Sequence, residues 1–249
     1  MGKATLKKVC VVTAARSEYG LLRWILEELK YSEDFHLQVI VTGSHLAPEQ
    51  GMTVQAIEDD GFFIDKKIEM FLSTSSSVGI GKSMGLCGIG IADALEDLHP
   101  DLLVVLGDRY ELLPICSTAL VMNILIAHIS GGDITEGAID DQVRNAITMM
   151  ASLHFPGTSE SAARIERMLG KRKNIFSVGE PGLDSFKRYK LMSRLELSQR
   201  LSLDIKKKWI LLTLHPETKE TIEYNVKMAE NLVISLNDVE DIQVVITQA

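Results

Sequence analysis

The chain has 249 residues and a mass of 27.6 kDa, which at roughly 150 residues per domain corresponds to about 1.7 domains, one complete unit plus part of another. With 46% hydrophobic and 24% charged residues it is an ordinary globular composition, and disordered, collagen-like and coiled-coil chains are excluded. Lysine plus arginine number 26 against 34 aspartates and glutamates, a formal charge of −8 with a pI near 5.3. That balance argues against nucleic acid or an anionic membrane as a bulk partner and leaves room for local basic pockets.

The elements follow one another regularly. Residues 9–13, 37–42, 63–68, 102–106, 124–129 and 175–178 are short, continuous apolar runs, the pattern of strands buried on both faces. Between them lie helical periods: Tyr19, Leu22, Ile25, Leu26 and Leu29 recur on one helical face, with Ser17 and Glu18 supplying an acidic first turn. Strand, helix and strand in series predict a parallel sheet with right-handed crossovers. The fold class is therefore α/β, with a Rossmann-like lobe over residues 1–187. Residues 188–208 are charged, lack a strand and carry one or two helical turns around 191–201, as a linker or crossover helix would. The alternation restarts with strands at 209–214 and 242–247 around a helix at 224–236, so residues 209–249 read as the opening of a second Rossmann-like lobe. Two strands and one helix cannot close a domain, and a truncated two-lobed architecture is expected.

Cys10, Cys87 and Cys116 lie in apolar runs without CxxC or Cys/His spacing, so neither a disulfide framework nor a metal site is expected. This usage fits a reducing cytoplasm. Residues 1–8 are short and basic and run straight into Val9-Cys10-Val11-Val12, unlike a signal peptide with its cleavage site. No stretch is expected to be long and apolar enough to cross a membrane.

In an open parallel sheet, ligands bind beyond the carboxyl ends of the strands, and the loops there are unusually polar. Ala14-Ala15-Arg16-Ser17-Glu18-Tyr19 sets a cation beside the amides of a helix start, a recipe for an anion or phosphate site, although the glycines of GxGxxG are absent. Thr42-Gly43-Ser44-His45-Leu46 places a histidine just past a strand; a lone histidine is more often a structural hydrogen bonder than a catalyst. Gly81-Lys82-Ser83 is not a phosphate-binding P-loop, because Ser76 stands where that motif needs glycine. Residues 73–82 read instead as a loop and lid entering a helix, after which Gly85, Gly88 and Gly90 permit close helix packing. Gly107-Asp108-Arg109-Tyr110-Glu111 brings two acids and an arginine to the ligand edge. The next loop, His128-Ile129-Ser130-Gly131-Gly132-Asp133-Ile134-Thr135-Glu136-Gly137, leads to Asp140-Asp141-Gln142-Val143-Arg144, and its glycines let backbone approach a ligand while acids, an arginine and a histidine converge. His215, in Thr213-Leu214-His215-Pro216-Glu217-Thr218, again follows a strand, where it is expected to face the acids of the first lobe across a cleft.

Taken together, Arg16-Ser17-Glu18-Tyr19, Gly43-Ser44-His45-Leu46, Gly107-Asp108-Arg109-Tyr110-Glu111, Gly131-Gly132-Asp133 with Asp140, Asp141 and Arg144, and His215-Pro216-Glu217-Thr218 resemble the UDP-N-acetylglucosamine 2-epimerases. The hydrolysing branch, which opens sialic acid synthesis, is the nearest. The resemblance implies two Rossmann-like lobes arranged as in the GT-B glycosyltransferases, no cofactor, UDP-N-acetylglucosamine as substrate and a homodimer or homotetramer in the cytoplasm. It implies anti elimination of UDP to 2-acetamidoglucal, then hydration to N-acetylmannosamine. Asp108 and Asp140 match the family's catalytic carboxylates and His215 its essential histidine, while base and acid stay unassigned. Arg16 and Arg109 match positions near diphosphate and sugar, and His45, Glu111, Gly131, Gly132, Glu136, Asp141 and Arg144 fall in substrate-binding motifs. Ser130 stands where the family often has glutamate; either Asp133 or Glu136 supplies that carboxylate, or the hydrolysing branch works without it. Without a full second lobe, weak UDP-sugar binding and no turnover are expected of the chain. A non-hydrolysing epimerase and a non-catalytic sugar-nucleotide-binding lobe are the competing readings.

Overall fold

The computed structural model describes residues 6–72, 76–217 and 220–247. Its first compact unit, Met1–Ile134 with Asp140–Ser185, is built on strands β1 (Lys7–Thr13), β2 (Phe35–Thr42), β3 (Lys66–Ile68), β4 (Leu102–Leu106), β5 (Leu125–Ile129) and β6 (Leu153–Phe155). All pair in parallel in the order β3-β2-β1-β4-β5-β6. This is the doubly wound arrangement whose order reverses beside β1, so ligand chemistry is favoured beyond the carboxyl ends of β1 and β4.

Alternation along the strands divides the core in two. Cys10, Val12, Ile40, Leu103, Val105 and Ile126 point to one face. There they meet α3 (Ser77–Leu98), α4 (Leu112–Val121) and α5 (Asp140–Met150). Val9, Val11, Val39, Val41, Val104 and Ala127 point to the other, against α1 (Arg16–Lys30) and α2 (Val54–Asp59). Both faces are covered, which is why the strands read as continuous apolar runs. The helix α6 (Ser159–Leu169) follows β6 and starts on Thr158, whose side chain accepts from the Ser161 amide.

Four local expectations are corrected. Residues 175–178 form no strand beyond one bridge, Ile175 to His154; Gly179 and Pro181 stop the run, and the last strand is the three-residue β6, too short to register as a period. Of residues 63–68 only Lys66–Ile68 is strand, since Phe63 is 80% exposed and Asp65 turns back to bond Val39 through both its backbone amide and its carboxylate. Residues 77–82 are helical rather than loop, because Ser76 caps α3 by accepting from the Gly79 amide at 3.1 Å; Ser73, Thr74 and Ser75 lie outside the described residues. Finally, α3 does have the length and apolarity of a membrane-crossing helix, with 22 residues and a mean hydropathy of 1.3. Its buried Cys87, Ile91, Ala94 and Leu95 belong to the sheet's core, while Val78, Leu86 and Ile89 are exposed. Of its glycines, Gly90 packs on Ile68 and Gly88 near Pro114, whereas Gly85 faces open space.

The second unit comprises Thr135–Ile139 and Phe186–Ala249. Within it α8 (Arg194–Leu201) begins on a reciprocal cap, the Ser193 side chain with the Glu196 amide and the Glu196 carboxylate with the Ser193 amide. The helix α7 (Asp184–Arg188) precedes it. Strands β7 (Lys208–Leu212) and β8 (Ile242–Ile246) pair in parallel around α9 (Ile222–Asn237), a strand-helix-strand unit of the same kind as those in the larger sheet.

Candidate functional site

The β4 and β5 loops and the start of α5 meet on one guanidinium. Arg144 is 6% exposed; its Nη2 donates to Asp108 Oδ2, and its Nη1 donates to the Asp133 carbonyl at 2.9 Å and to Asp141 Oδ1 at 3.3 Å. A buried arginine requires such a set, since an unpaired charge there would cost several kcal/mol. Burial pushes the Asp108 carboxyl above its ordinary range, Arg144 pulls it down and the neighbouring Asp140 pushes it up again; the net direction is up. Asp108, Asp133, Asp140, Asp141 and Arg144 are thus brought together as the sequence anticipates. The Asp133 carboxylate, however, accepts from Ser161 Oγ, which commits it to the start of α6.

A second polar cluster lies at the end of β1. Glu18 is 5% exposed, and its Oε2 accepts from the amides of Ala14 at 2.7 Å and Ala15 at 3.1 Å. Burial raises its carboxyl to about 7, against the pull of those amides and of Arg109, with the Glu111 charge adding to the rise. Arg109 donates to Glu111 Oε1 at 2.7 Å, and Glu111 is fully buried. Burial works against the Arg109 charge, but Glu111 holds its pKa above the usual guanidinium value. Glu18 Oε1, Arg109 Nε and Glu111 Oε2 are buried and bonded to nothing among the described residues, so hydrogen-bonding capacity is left at the ligand edge. Arg16 is the exposed first residue of α1, a cation at a helix N-terminus.

The two histidines of the sheet edge are occupied. His45 is buried, with Nε2 3.0 Å from Thr13 Oγ1 and Nδ1 2.8 Å from Thr53 Oγ1, and burial lowers its pKa to about 4. His128 likewise has Nε2 2.8 Å from the Gly107 carbonyl and Nδ1 3.1 Å from Thr148 Oγ1, with burial again lowering it to about 4. Both are neutral rings that shape loops. Gly131 and Gly132 are dictated by space. A Cβ on Gly131 would lie 2.9 Å from His128 Nδ1, and Gly132 has φ +82° with the Ser161 carbonyl where its Cβ would sit.

Ser130, at φ +58°, donates to Glu180 Oε2 at 2.7 Å. A carboxylate therefore does reach this position, but from a segment 50 residues further along the chain. Glu180 Oε1 is buried without a bond among the described residues and occupies the space that a Cβ on Gly157 would need. Glu18 and Glu180 were missed by sequence reasoning. Glu18 was visible only as first-turn acid, and nothing local marks Glu180 beyond its place before Pro181-Gly182.

In the second unit Glu136 and His215 are exposed. Gly137 lies against Glu217, a Cβ there falling 3.1 Å from Glu217 Oε2, and the Glu217 backbone is held by the side-chain amide of Asn225, whose Oδ1 accepts from the Glu217 amide and whose Nδ2 donates to the Glu217 carbonyl. Thr218 lies outside the described residues. No group of three or more His, Cys, Asp or Glu is placed to hold a metal ion among the described residues.

Residues 27–249 match the family model described as UDP-N-acetylglucosamine 2-epimerase. The chain is 35% identical over 243 residues to a GDP/UDP-N,N'-diacetylbacillosamine 2-epimerase (hydrolyzing) of Campylobacter jejuni, covering 98% of this chain and 63% of the relative. It is 38% identical over 215 residues to a UDP-N,N'-diacetylbacillosamine 2-epimerase (hydrolyzing) of Legionella pneumophila, covering 86% and 57%. The chain thus spans about 60% of the length of these relatives. Its fold is similar to that of a UDP-GlcNAc 2-epimerase from Neisseria meningitidis solved with UDP-GlcNAc, with a TM-score of 0.77 at 18% identity over 97% of this chain and 72% of that one. Motif, sheet order and similarity converge: the chain belongs to the UDP-N-acetylglucosamine 2-epimerase family.

Proposed function

We propose that the protein is a hydrolysing 2-epimerase of a UDP-linked 2-acetamido sugar, releasing UDP and the free sugar inverted at C2. UDP-N-acetylglucosamine giving N-acetylmannosamine is the simplest member of this class. The observation that carries the reading is Arg144, whose guanidinium unites Asp108, Asp141 and the Asp133 carbonyl beyond the ends of β4 and β5. The C2 proton of a sugar is weakly acidic, so its removal needs a placed carboxylate. As that proton moves to the carboxylate, the C1–O bond breaks and UDP departs with its electron pair, leaving a C1=C2 double bond. Water then adds, hydroxyl to C1 and a proton to the opposite face of C2.

Asp108 and Asp140 supply the carboxyl pair. Burial holds the Asp108 pKa above its ordinary value, the direction that a proton-transfer role asks for. Arg16, exposed at the start of α1, takes the departing diphosphate together with the helix amides. His215 keeps the role that its motif implies. Two of the relatives bear names that specify hydrolysis, which favours release of free sugar over return of an epimeric nucleotide sugar.

The test is incubation of a form extended to the relatives' full length with UDP-N-acetylglucosamine in deuterated water, with products identified by proton NMR. UDP and a free 2-epimeric sugar carrying deuterium at C2 are expected. Formation of UDP-N-acetylmannosamine would move the protein to the non-hydrolysing branch. Tight binding without turnover of any UDP-2-acetamido sugar would leave only a binding lobe.

A further inference from the structure

The Glu18 carboxylate has one oxygen more than the fold uses. Its Oε2 closes the turn at the start of α1 through the Ala14 and Ala15 amides. That turn has no room to give, because the Ala14 carbonyl accepts from Ser44 Oγ at 3.0 Å and would lie 2.6 Å from a Cβ on Gly43. Glu18 Oε1 is buried without a bond among the described residues, as are Arg109 Nε and Glu111 Oε2 beyond the end of β4. Arg109 Nη2 donates to Glu111 Oε1 at 2.7 Å, and Glu18 and Arg109 are near enough for each charge to act on the other. Two buried carboxylates thus share one guanidinium, and the set carries an excess negative charge when both acids are ionised. The groups around it do not offset that charge. Arg16, on the same helix, is exposed to solvent; Tyr19 donates its hydroxyl to Asp60; His45 of the β2 loop is held neutral by burial. Burial and the Glu111 charge both keep the Tyr110 hydroxyl and the Cys87 thiol protonated.

A helix cap needs only an acceptor. Glutamine at position 18 would bond the same two amides with no charge to bury, so the carboxylate is kept against its cost, as happens where function sets the residue. Arg109 gives it a use. The Arg109 side chain is 35% exposed while its Nε is buried, so the guanidinium shows an open edge beyond β1 and β4, where the strand order reverses and ligands are favoured. With both acids ionised, that edge is backed by net negative charge and attracts an anion poorly. With a proton on Glu18 the set is neutral, and the guanidinium is available to phosphate oxygens. We propose that Glu18 is a positioning residue that acts through Arg109, taking up one proton from solvent as the diphosphate of a UDP-sugar binds and returning it when UDP leaves. The proton goes to Oε1, the oxygen that no amide engages. Burial already lifts this carboxyl to about 7, so the exchange falls near neutral pH. The inference rests on the UDP-sugar reading above and adds to it a proton that is separate from the one moved at C2.

The experiment is calorimetric titration of the full-length form with the C-glycosidic phosphonate analogue of UDP-N-acetylglucosamine, which cannot release UDP and whose own charge is constant between about pH 6 and 8.5. Two buffers of different ionisation enthalpy report the protons exchanged. The wild type should take up roughly half a proton per ligand near pH 7.5, and its affinity should fall roughly 5- to 10-fold from pH 6 to 8.5, the effect of about one unit in a carboxyl pKa. In Glu18→Gln the uptake and the pH slope should both vanish, with affinity staying at the wild type's low-pH value. Glu111→Gln removes a charge that raises the Glu18 carboxyl and should move the uptake to lower pH. Melting temperatures establish that each variant is folded; if Glu18→Gln is not, an uptake unmoved in Glu111→Gln counts against the inference by itself. No uptake in the wild type, or the same uptake in Glu18→Gln, would overturn the role of Glu18 and leave the UDP-sugar reading intact. Failure of the wild type to bind the analogue at any pH would remove both.

Discussion

Arg144, near the start of α5, donates to the carboxylate of Asp108, 36 residues earlier at the end of β4. The same guanidinium holds the Asp133 carbonyl in the loop after β5. One side chain thereby fixes the spacing of two strand-end loops, and the Asp108 carboxyl is oriented by a charge it cannot escape. Orientation at this level decides rate, since a misplacement of about 1 Å can cost on the order of 100-fold.

Arg144→Met should therefore do two things at once. Removal of one partner of a buried pair costs about 3–5 kcal/mol, read as a fall in melting temperature, and turnover of the full-length form should drop with it. Asp108→Asn retains the volume and a hydrogen-bond acceptor, so it should keep UDP affinity within about threefold while turnover falls by roughly 10³ or more. Loss of UDP binding in Asp108→Asn would instead make Asp108 a binding group.

Glu180 and Gly157 should behave as a coupled pair. Gly157→Ala puts a methyl where the Glu180 carboxylate lies, an overpacking worth about 1–3 kcal/mol. In the double variant Gly157→Ala with Glu180→Ala much of that loss should return, because the clash partner is gone. Simple additivity of the two single losses in denaturant titrations would contradict the geometry.

The pH dependence of stability has two opposed parts. His45 and His128 are neutral in the fold, with pKa values near 4 against 6.5. Their contribution is complete above pH 6.5 and is lost as pH falls toward 4, on the order of 3 kcal/mol for each. Glu18 runs the other way: its carboxyl is raised from 4.5 to about 7, so the folded state holds the extra proton between those values and burial costs stability as pH rises through the window. The histidines outweigh it, and midpoint denaturant concentration should fall between pH 6.5 and 4.5. Histidine ring resonances that titrate near 6.5 at these two positions would refute this account.

Glu18→Gln isolates the opposing part. The amide keeps an oxygen for the Ala14 and Ala15 amides and carries no charge, so the variant should be more stable than wild type at pH 8, by about 1–3 kcal/mol, and indistinguishable at pH 4. A gain of equal size at both pH values would point to packing rather than charge.

Much of this architecture is legible in the residues themselves. Buried strands such as Leu102–Leu106 announce themselves by uninterrupted apolar runs, because both faces of the sheet are covered. The strand-end positions of Asp108, Gly131 and Gly132 follow from the same reading. What stays hidden is whatever depends on distant chain. Leu153–Phe155 is a strand only because β5 offers its edge, and Glu180 reaches Ser130 by tertiary folding alone. The serine- and glycine-rich run before residue 83 concealed only the opening turns of α3, which Ser76 begins, since intrinsic propensity is a weak guide once a face is buried.

The paired glycines of the β5 loop carry a consequence for mutational tolerance. Gly132 is barred from substitution twice over, by its φ of +82° and by the Ser161 carbonyl, and Gly131 is hemmed in by His128 and Thr148. Asp108 and Asp140 stand on ordinary backbone with partly open surroundings. A saturation library sorted on abundance alone would come back empty at the two glycines, thinned at Asp108, whose loss unpairs the buried Arg144, and well populated at Asp140; the same library sorted on turnover would be empty at all four. The columns that fill in the first sort and vanish in the second mark where chemistry, and not architecture, has chosen the residue.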